Sequence, residues 1–283
     1  MTQNAELKLV IEGPAEDIFK RKLGRFKNLN LETAIKDSDW VICGSSWQSD
    51  LECRAISICK SISKKVVTFL DHWINYKERF QVMGELLLPD EIWVGDEIAE
   101  KIAKNIFSST PVNFVPNPYF TDIIWQLNNT LNLEKQKDEI SVLYVCEPIR
   151  EHALLQYGNE SYWGYGEEDA LMFFLNNIFV ISKKIKIIKI RPHPSEDIEK
   201  YKWASEHSDL ILFSDGNNSL IEEISEADII VGCESMAMVV GLLAEKRVIS
   251  CIPPGSRECG LPHSEIEHLQ NMGVYNSEIN NDI

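Results

Sequence analysis

Short apolar runs, polar turns and amphipathic stretches alternate along most of the chain. The first series predicts strands at 7–13, 39–44, 65–71, 91–96 and 112–117, with helices at 15–24, 49–62 and 97–107. A second series predicts strands at 140–148, 186–194, 210–215, 228–235 and 247–254, with helices at 167–182, 196–206, 218–226 and 235–245. Near-continuous apolar strands that alternate with helices are typical of parallel sheets covered on both faces. The pattern therefore predicts an α/β fold with two Rossmann-like domains.

The two series are separated by residues 117–139, which are polar and rich in asparagine toward their end. The length of 283 residues suits two domains. We predict an N-terminal Rossmann-like domain over 1–120, a linker over 121–137 and a C-terminal Rossmann-like domain over 138–283. Open α/β sheets bind ligands beyond the carboxyl ends of their strands, so we expect two parallel sheets that face each other across one cleft.

The chain is acidic, with a formal net charge of −16 at pH 7. Phosphate contacts need a basic surface, so this charge argues against nucleic acid as a partner. Lysines and arginines nevertheless cluster at 20–27 and 183–191, where a small anion can bind. Neither a long apolar run nor a signal-peptide pattern is found, which predicts a cytoplasmic protein with at most peripheral membrane contact.

The seven cysteines follow no CxxC spacing and are odd in number, so reduced, buried thiols are favoured over disulfides or a metal site. No Walker A, GxSxG or HExxH motif is present, and no GxGxxG follows the first predicted strand. These absences argue against a kinase, a serine hydrolase, a zinc enzyme and a dehydrogenase.

One predicted strand runs directly into a turn with a histidine between two prolines, in "KIIKIRPHPSED" (186–197). Pro192 and Pro194 fix φ and remove two backbone donors, so they restrict the direction of His193. The imidazole can donate to a phosphate oxygen, and Arg191 can add a fixed positive charge. This turn is a candidate anion site, with a rigid structural turn as the alternative.

A second candidate lies in "GCESMAMVV" (232–240), where a strand passes into a helix. Gly232 allows close approach of the backbone, and the free N–H groups at Ser235 and Met236 suit a phosphate. Glu234 would repel a phosphate. It can instead accept hydrogen bonds from ribose or sugar hydroxyls, unless it is simply the N-cap of the helix.

Other polar residues follow predicted strands of both series. In the second series these are Arg150, within "CEPIREH" (146–152), and Asp215. Each of them taken alone is more often a cap or turn residue than a ligand. Several at one sheet edge favour a shared binding site.

In the first series the sequence "FLDHWINYKERF" (69–80) is dense in polar and aromatic residues and is interpreted as a binding loop. Asp71 leaves a buried strand, so partial burial is expected to raise its pKa and suit it to general-base catalysis. The acceptor-side candidates beside it are His72, Asn75 and Arg79. In "GSSWQSD" (44–50), Ser45 and Ser46 either bind an acceptor hydroxyl or phosphate or cap the following helix.

This pattern resembles a GT-B glycosyltransferase. The segments "RPHP" (191–194) and "ADIIVGCESMAMVVGLLAEKRVISCIPP" (227–254) are similar to bacterial surface-polysaccharide transferases that use CMP-linked acidic sugars, namely sialyl-, polysialyl- and Kdo-transferases. The resemblance implies that His193 with Pro194, and Ser235, hold the donor phosphate, and that Asp71 is the base on the acceptor hydroxyl. The acidic motif of the sialyltransferases, two acidic residues followed by a glycine, is not found at the expected place, and the closest element is "LDHW" (70–73).

The resemblance implies a metal-independent transfer of sugar from a nucleotide donor to a glycan or lipid-linked glycan, in lipopolysaccharide or capsule synthesis. The protein would work in the cytoplasm or at the inner face of the cytoplasmic membrane. No cofactor is expected. The donor remains open, because phosphoribosyl pyrophosphate or a UDP-sugar would need anion sites of the same kind. The alternatives are a phosphoribosyltransferase, a UDP-sugar epimerase or hydrolase of the same fold, and a non-catalytic sugar-nucleotide-binding assembly protein.

Overall fold

A computed structural model describes residues 5–13, 15–46, 49–130 and 139–273. The chain divides into two compact units, Met1–Asn117 and Pro118–Ile283. Each unit is an α/β body with its own parallel sheet, as the sequence predicts.

Unit 1 combines short helices with a parallel sheet. Its helices are α1 (Ala15–Leu23), α2 (Leu31–Lys36), α3 (Leu51–Ser61) and α4 (Glu97–Ile106). Its strands are β1 (Val41–Cys43), β2 (Val66–Leu70), β3 (Gln81–Val82), β4 (Glu85–Leu86), β5 (Glu91–Val94) and β6 (Val112–Phe114). The sheet has the order β1-β2-β5-β6, and β3 pairs with β4 in a separate antiparallel hairpin.

The centre of unit 1 is strand β2, where Val66 and Val67 are fully buried. Helix α3 packs Ile56 and Cys59 into the same core. Helix α4 begins where it does because the Asp96 carboxylate caps it, accepting a hydrogen bond of 2.7 Å from the N–H of Ala99. Parallel pairing brings the carboxyl ends of β1, β2, β5 and β6 to one edge of the sheet.

The predicted strand at 7–13 is wrong as a sheet strand. Its contact is a single parallel bridge between Leu9 and Asn28, where the Leu29 N–H donates to the Leu9 carbonyl at 2.9 Å. The Asn28 side chain also bonds both backbone groups of Ile11, at 2.9 and 2.8 Å. The apolar run thus has the composition of a strand but pairs with a loop, so β1 is the edge strand of the sheet.

Unit 2 has a larger sheet with helices on both sides. The helices are α5 (Pro118–Asn129), α6 (Ile149–Tyr157), α7 (Glu167–Asn176), α8 (Ile178–Ile181), α9 (Leu220–Glu226) and α10 (Met236–Leu243). The strands are β7 (Ile140–Val145), β8 (Ile185–Arg191), β9 (Ile211–Phe213), β10 (Ile229–Gly232), β11 (Arg247–Ser250) and β12 (Glu267–His268). Single 3-10 segments lie at Ile198–Glu206 and Leu269–Asn271.

The parallel sheet of unit 2 has the order β12-β11-β10-β7-β8-β9. Numbered from β7, this is the order 3-2-1-4-5-6 of a doubly wound sheet. The direction of winding reverses between β7 and β10, which pair directly through Val142 and Ile229. A crevice at the carboxyl ends of these two strands is where this architecture places ligands.

Gly232 makes close packing at the reversal possible. A Cβ at this position would lie 2.7 Å from the Val145 Cγ2 and 3.2 Å from the Met238 Sδ. The glycine therefore lets the end of β10 lie against β7 and α10.

The boundary between the predicted domains differs from the observed one. The predicted linker, 121–137, begins inside α5, and this helix packs against α9 and α10 of unit 2. Its apolar Ile123 is buried there, so this stretch is part of unit 2. The rest of the predicted linker, from residue 131, lies outside the described residues.

Several elements differ from their predicted form. The helix predicted at 167–182 is divided at Asn177 into α7 and α8. The stretch predicted as a helix at 196–206 is the 3-10 segment, and helices α2 and α6 were not predicted. All seven cysteines are free thiols, five of them buried. Within the described ranges, no helix is long and apolar enough to cross a membrane.

Candidate functional site

The winding reversal of unit 2 contains a carboxylate bound to backbone amides. Glu147 follows β7, and its Oε2 accepts hydrogen bonds from the N–H groups of Glu234, at 2.7 Å, and Cys233, at 3.2 Å. These amides lie directly before α10, where we predicted an anion site. A side chain of the protein therefore occupies part of the position that a phosphate was expected to take.

Glu234 is the second carboxylate of this cluster. Its Oε1 pairs with the Arg257 guanidinium, and its Oε2 accepts a hydrogen bond of 3.0 Å from the Gly260 N–H. The guanidinium also stacks on the Trp163 ring, 3.9 Å from the centroid. Both Glu234 oxygens are thus engaged in holding the loop after β11, and Ser235, not Glu234, is the N-cap.

The electrostatics of the cluster favour a proton on Glu147. Burial, followed by the neighbouring Glu234 carboxylate, raises the pKa of Glu147 to about 7. The Tyr165 hydroxyl is buried with no hydrogen-bond partner among the described residues, and burial raises its pKa. A carboxyl group whose pKa lies near neutrality can act as an acid or a base.

The N-terminus of α10 lies beside this cluster. The Ser235 side chain caps the helix, accepting a hydrogen bond of 3.1 Å from the Ala237 N–H. Ser235 and Met236 are both half-buried. Their position at a helix start beside the strand reversal matches the prediction, while contact with a donor phosphate stays a prediction.

The "RPHP" turn follows β8, on the other side of β7. The His193 Nδ1 lies 2.8 Å from the Ser195 Oγ and accepts a hydrogen bond of 3.3 Å from the Ser195 N–H. These contacts orient the ring and leave Nε2 for another partner. Pro194 is exposed beside it. Since β7 separates β8 from β10, the turn and the start of α10 lie roughly 10 Å apart along the sheet edge.

A second imidazole approaches His193 and was not predicted. The His152 ring, on α6, lies 6.4 Å from the His193 ring, at an interplanar angle of 79°. Burial, and then the nearby His193, lowers the pKa of His152. The "REH" sequence (150–152) after β7 was the available signal, but α6 was not predicted there.

The prediction for Arg191 differs from what the structure shows. Its Nη1 lies 2.5 Å from the Glu223 Oε2 and also donates to the Asn218 carbonyl at 3.1 Å. Glu223 is 1% exposed, so its charge needs a cation. Arg191 therefore neutralises a buried carboxylate inside unit 2 instead of pointing to a ligand.

Arg150 and Asp215 are also engaged locally. Arg150 pairs with Glu167 and Glu168 at the start of α7, and its guanidinium packs on Gly166. Asp215 is exposed, and its carboxylate accepts hydrogen bonds from the Asn217 N–H at 3.0 Å and side chain at 2.7 Å. Both match the cap-and-turn alternative.

The carboxyl edge of unit 1 brings Ser45, Asp71 and Arg79 together. The Ser45 hydroxyl donates to the Asp71 carboxylate at 3.1 Å, and the Arg79 guanidinium lies 3.4 Å from the same oxygen. Arg79 also donates to the Ser45 carbonyl at 2.5 Å, and burial lowers its pKa. The side chain of Asp71 is 63% exposed, so the expected burial of this carboxylate is wrong. Arg79, which is buried, thus holds Ser45 and Asp71 together, while the acceptor role of these residues stays a prediction.

The remaining acceptor-side candidates shape the same loop. The His72 Nδ1 accepts a hydrogen bond of 3.0 Å from the Trp73 N–H, and the Trp73 indole donates to Asp96 at 2.9 Å. Asn75 has a left-handed backbone, φ +57°, and turns the chain. Ser46 lines a cleft of about 520 Å³ with Arg79 and Met83. No group of three or more metal-ligating side chains occurs within the part of the chain that the structure describes.

Comparison with known proteins supports the architecture. UDP-GlcNAc 2-epimerase from Methanocaldococcus jannaschii aligns with a TM-score of 0.51 at 12% identity, over 83% of this chain and 73% of that chain. MurG from Acinetobacter baumannii gives 0.43 at 11% identity, over 87% and 68%. HepE from Anabaena, in complex with UDP and glucose, gives 0.41 at 10% identity, over 86% and 65%.

The epimerase alignment shows a shared fold and nothing further, because the identity is low. The MurG and HepE alignments are weaker still, and the chain spans less than two thirds of HepE. No protein-family model and no curated protein matches the sequence. The fold is GT-B-like: two Rossmann-type α/β units with parallel sheets.

Proposed function

We propose that the protein is a glycosyltransferase that uses a phosphate-linked sugar donor. One observation supports this proposal most directly. In the doubly wound sheet, the "RPHP" turn follows the strand on one side of β7, and the capped start of α10 follows the strand on the other side. Both motifs stand at the carboxyl edge, where such sheets bind nucleotides. The GT-B-like fold supports the same class of reaction.

In this proposal unit 2 binds the donor. The N-terminal turn of α10, at Ser235 and Met236, and the Nε2 of His193 would donate hydrogen bonds that stabilise the charge on the leaving phosphate. This is a role that a bound cation plays in other phosphate sites. The resemblance of 191–194 and 227–254 favours a CMP-linked acidic sugar as the donor. Phosphoribosyl pyrophosphate and UDP-sugars remain as rivals.

Unit 1 would activate the acceptor, a glycan or lipid-linked glycan of a surface polysaccharide. Asp71 accepts the proton of the attacking hydroxyl while the sugar–phosphate bond breaks and the phosphate leaves with the bonding pair. Ser45 and Arg79 hold the Asp71 carboxylate in place. An exposed carboxylate meets the acceptor directly, which suits a general base.

The first test is thermal stabilisation by CMP, CDP, UDP, GDP and phosphoribosyl pyrophosphate, followed by turnover with the donor of the best binder. We expect one nucleotide to raise the melting temperature, and His193→Ala to abolish that rise and lower turnover sharply. His207→Ala is the matched control, because His207 is an exposed histidine of the same unit. Normal binding and turnover by His193→Ala would overturn the role of His193.

A second candidate is a UDP-sugar epimerase or hydrolase, and Glu147 favours it. A carboxyl group with a pKa of about 7 at the strand reversal suits proton transfer to or from the sugar itself. Release of an epimer or a reducing sugar without any acceptor, lost in Glu147→Gln, would identify this activity. Stabilisation by a nucleotide with no turnover on any acceptor would instead indicate a binding protein.

A further inference from the structure

Unit 1 contains an apolar cavity that the proposed reaction does not use. It has a volume of about 530 Å³ and lies between the N-terminal segment, residues 5–12, together with helix α1, and the edge strand β1 with helices α2 and α3. Side chains that line it include Leu7, Val10, Phe19, Ile35, Ile42 and Ala55. Its size is within the range of small-molecule sites.

The cavity exists because the N-terminal segment is tied to Asn28 and not to β1. Ile42, at the middle of β1, remains 52% exposed, and Trp40 remains 44% exposed. Helix α1 has an apolar side but contains no buried residue. The N-terminal segment, β1 and α1 thus all expose apolar surface to the same cavity. Removing this surface from water by binding an apolar ligand would be favourable.

The lining tells which chemistry the cavity accepts. Lys8, its basic residue, is paired with Glu6 at 3.1 Å. Glu52 accepts a hydrogen bond of 3.4 Å from the Ser49 hydroxyl. Glu6 and Glu12 add further carboxylates to the lining, which disfavour a phosphate. Most of the lining is hydrocarbon, so the cavity suits an uncharged alkyl or isoprenoid chain better than a sugar or phosphate.

The position of the cavity connects it with the acceptor edge. Gly44 lines the cavity, and the next residue, Ser45, donates to Asp71 at 3.1 Å. A chain in the cavity would therefore place its polar end close to the carboxylate that we assign as the base. We propose that this cavity binds the hydrocarbon chain of an amphiphilic acceptor. Its use as acceptor rests on the proposed function, whereas binding of the chain does not.

The test is calorimetric titration of the full chain with n-hexyl, n-octyl and n-decyl glucosides below micelle formation, without any donor. Each methylene buried should tighten binding roughly fourfold, so two carbons give about 16-fold, until the cavity is full. Glucose itself should not bind measurably. Affinity that does not depend on chain length would overturn the proposal.

Two variants locate the binding. Ile42→Ser should weaken decyl glucoside binding at least fivefold. Ile62→Ser should leave it unchanged, because Ile62 is equally exposed, at 51%, and lies outside the lining. Ala55→Leu should weaken binding, because the larger side chain fills part of the cavity. If Ala55→Leu does not fold, Ile42→Ser still tests the site. Equal effects of Ile42→Ser and Ile62→Ser would place the chain elsewhere and refute the site.

A competing occupant is the N-terminal segment itself. If residues 7–12 pair with β1 in solution, the Ile42 amide will be strongly protected from hydrogen exchange and no glucoside will bind, which also refutes the site. Because the titration contains no sugar donor, an absence of glucoside binding would refute the cavity site without bearing on the proposed transferase activity. Conversely, if the protein binds glucosides but transfers no sugar, the cavity site is supported and the proposed transferase function is refuted.

Discussion

The Glu147 side chain accepts a hydrogen bond of 2.7 Å from the backbone N–H of Glu234, across the reversal of strand order in unit 2. This bond places a carboxyl group with a pKa of about 7 at the position where such folds hold their ligands. The same side chain both fixes the turn before α10 and can exchange a proton near neutral pH.

The titration of Glu147 should be visible in stability. Its pKa rises from the ordinary 4.5 to about 7 on folding, so between these values the folded chain binds the proton more tightly and stability falls as pH rises. Glu147→Gln keeps an acceptor for the amides and cannot ionise. We expect it to remove this fall, a relative gain on the order of 3 kcal/mol above neutral pH, measured by urea unfolding across pH.

The control for that measurement is Glu206→Gln, an exposed carboxyl of the same unit. His152 acts in the opposite direction: its lowered pKa makes stability rise with pH up to its ordinary value of 6.5. The Glu147→Gln profile should therefore rise over part of the range. A profile parallel to that of the unaltered chain would contradict the raised pKa.

Arg191 is predicted to matter for stability through Glu223. Removing the cation leaves a carboxylate that is 1% exposed, with Lys189 and Ser214 as remaining partners. We expect Arg191→Gln to cost roughly 3 kcal/mol in urea unfolding. The double variant Arg191→Met with Glu223→Leu should recover most of that. If Arg191→Gln is as stable as the unaltered protein but no longer binds the nucleotide, Arg191 is a ligand-binding residue and its role in neutralising Glu223 is refuted.

Gly232→Ala should be destabilised by crowding. The added Cβ would lie 2.7 Å from the Val145 Cγ2, and overpacking in a tight core costs about 1–3 kcal/mol. Val145→Ala in the same chain should relieve part of that. Gly44→Ala is the matched control, since the added Cβ would lie 4.0 Å from its nearest neighbour, the Glu52 Oε1. Equal melting temperatures for Gly232→Ala and Gly44→Ala would disprove the packing role.

Asp71→Asn separates catalysis from structure. The Asp71 side chain is 63% exposed and asparagine keeps an acceptor oxygen, so the variant should stay folded, with a small loss of stability because the buried Arg79 loses its ion-pair partner. If Asp71 is the base, turnover should fall by roughly 100-fold or more. Asp39→Asn, an exposed carboxyl of the same unit, should leave the rate unchanged. Retention of the full rate by Asp71→Asn would exclude Asp71 as the base.

The sequence predicts the α/β class well because hydrophobic periodicity reports burial on both sheet faces. Nine of the ten predicted strands overlap observed ones, and the exception, 7–13, failed because pairing is decided by tertiary contacts that composition does not contain. The predicted strand ends correctly placed Asp71, His193 and Ser235 at the carboxyl edges of the two sheets. Side-chain partners were the unpredictable part: Arg191 turns to Glu223, thirty-two residues later in the chain.

The residues missed at the reversal, Glu147, Tyr165 and Arg257, come from separate segments and have no common spacing. Only the aromatic and glycine-rich run "SYWGYG" (161–166) was a local signal. Trp163 and Tyr165 from this run contribute to the cluster only because the loop between α6 and α7 returns to it. Such convergence is a property of topology and cannot be read from spacing.

The strand orders of the two units imply different routes of assembly. In unit 1, the order β1-β2-β5-β6 is also the order of these strands in the chain, so each new strand can pair with the sheet strand made before it. In unit 2, the pairing of β7 with β10 joins Val142 to Ile229 and must wait until the whole intervening chain is made. Long-range pairing is slow because the loop must close first. The Glu147 cluster should therefore be among the last parts of the molecule to acquire native structure.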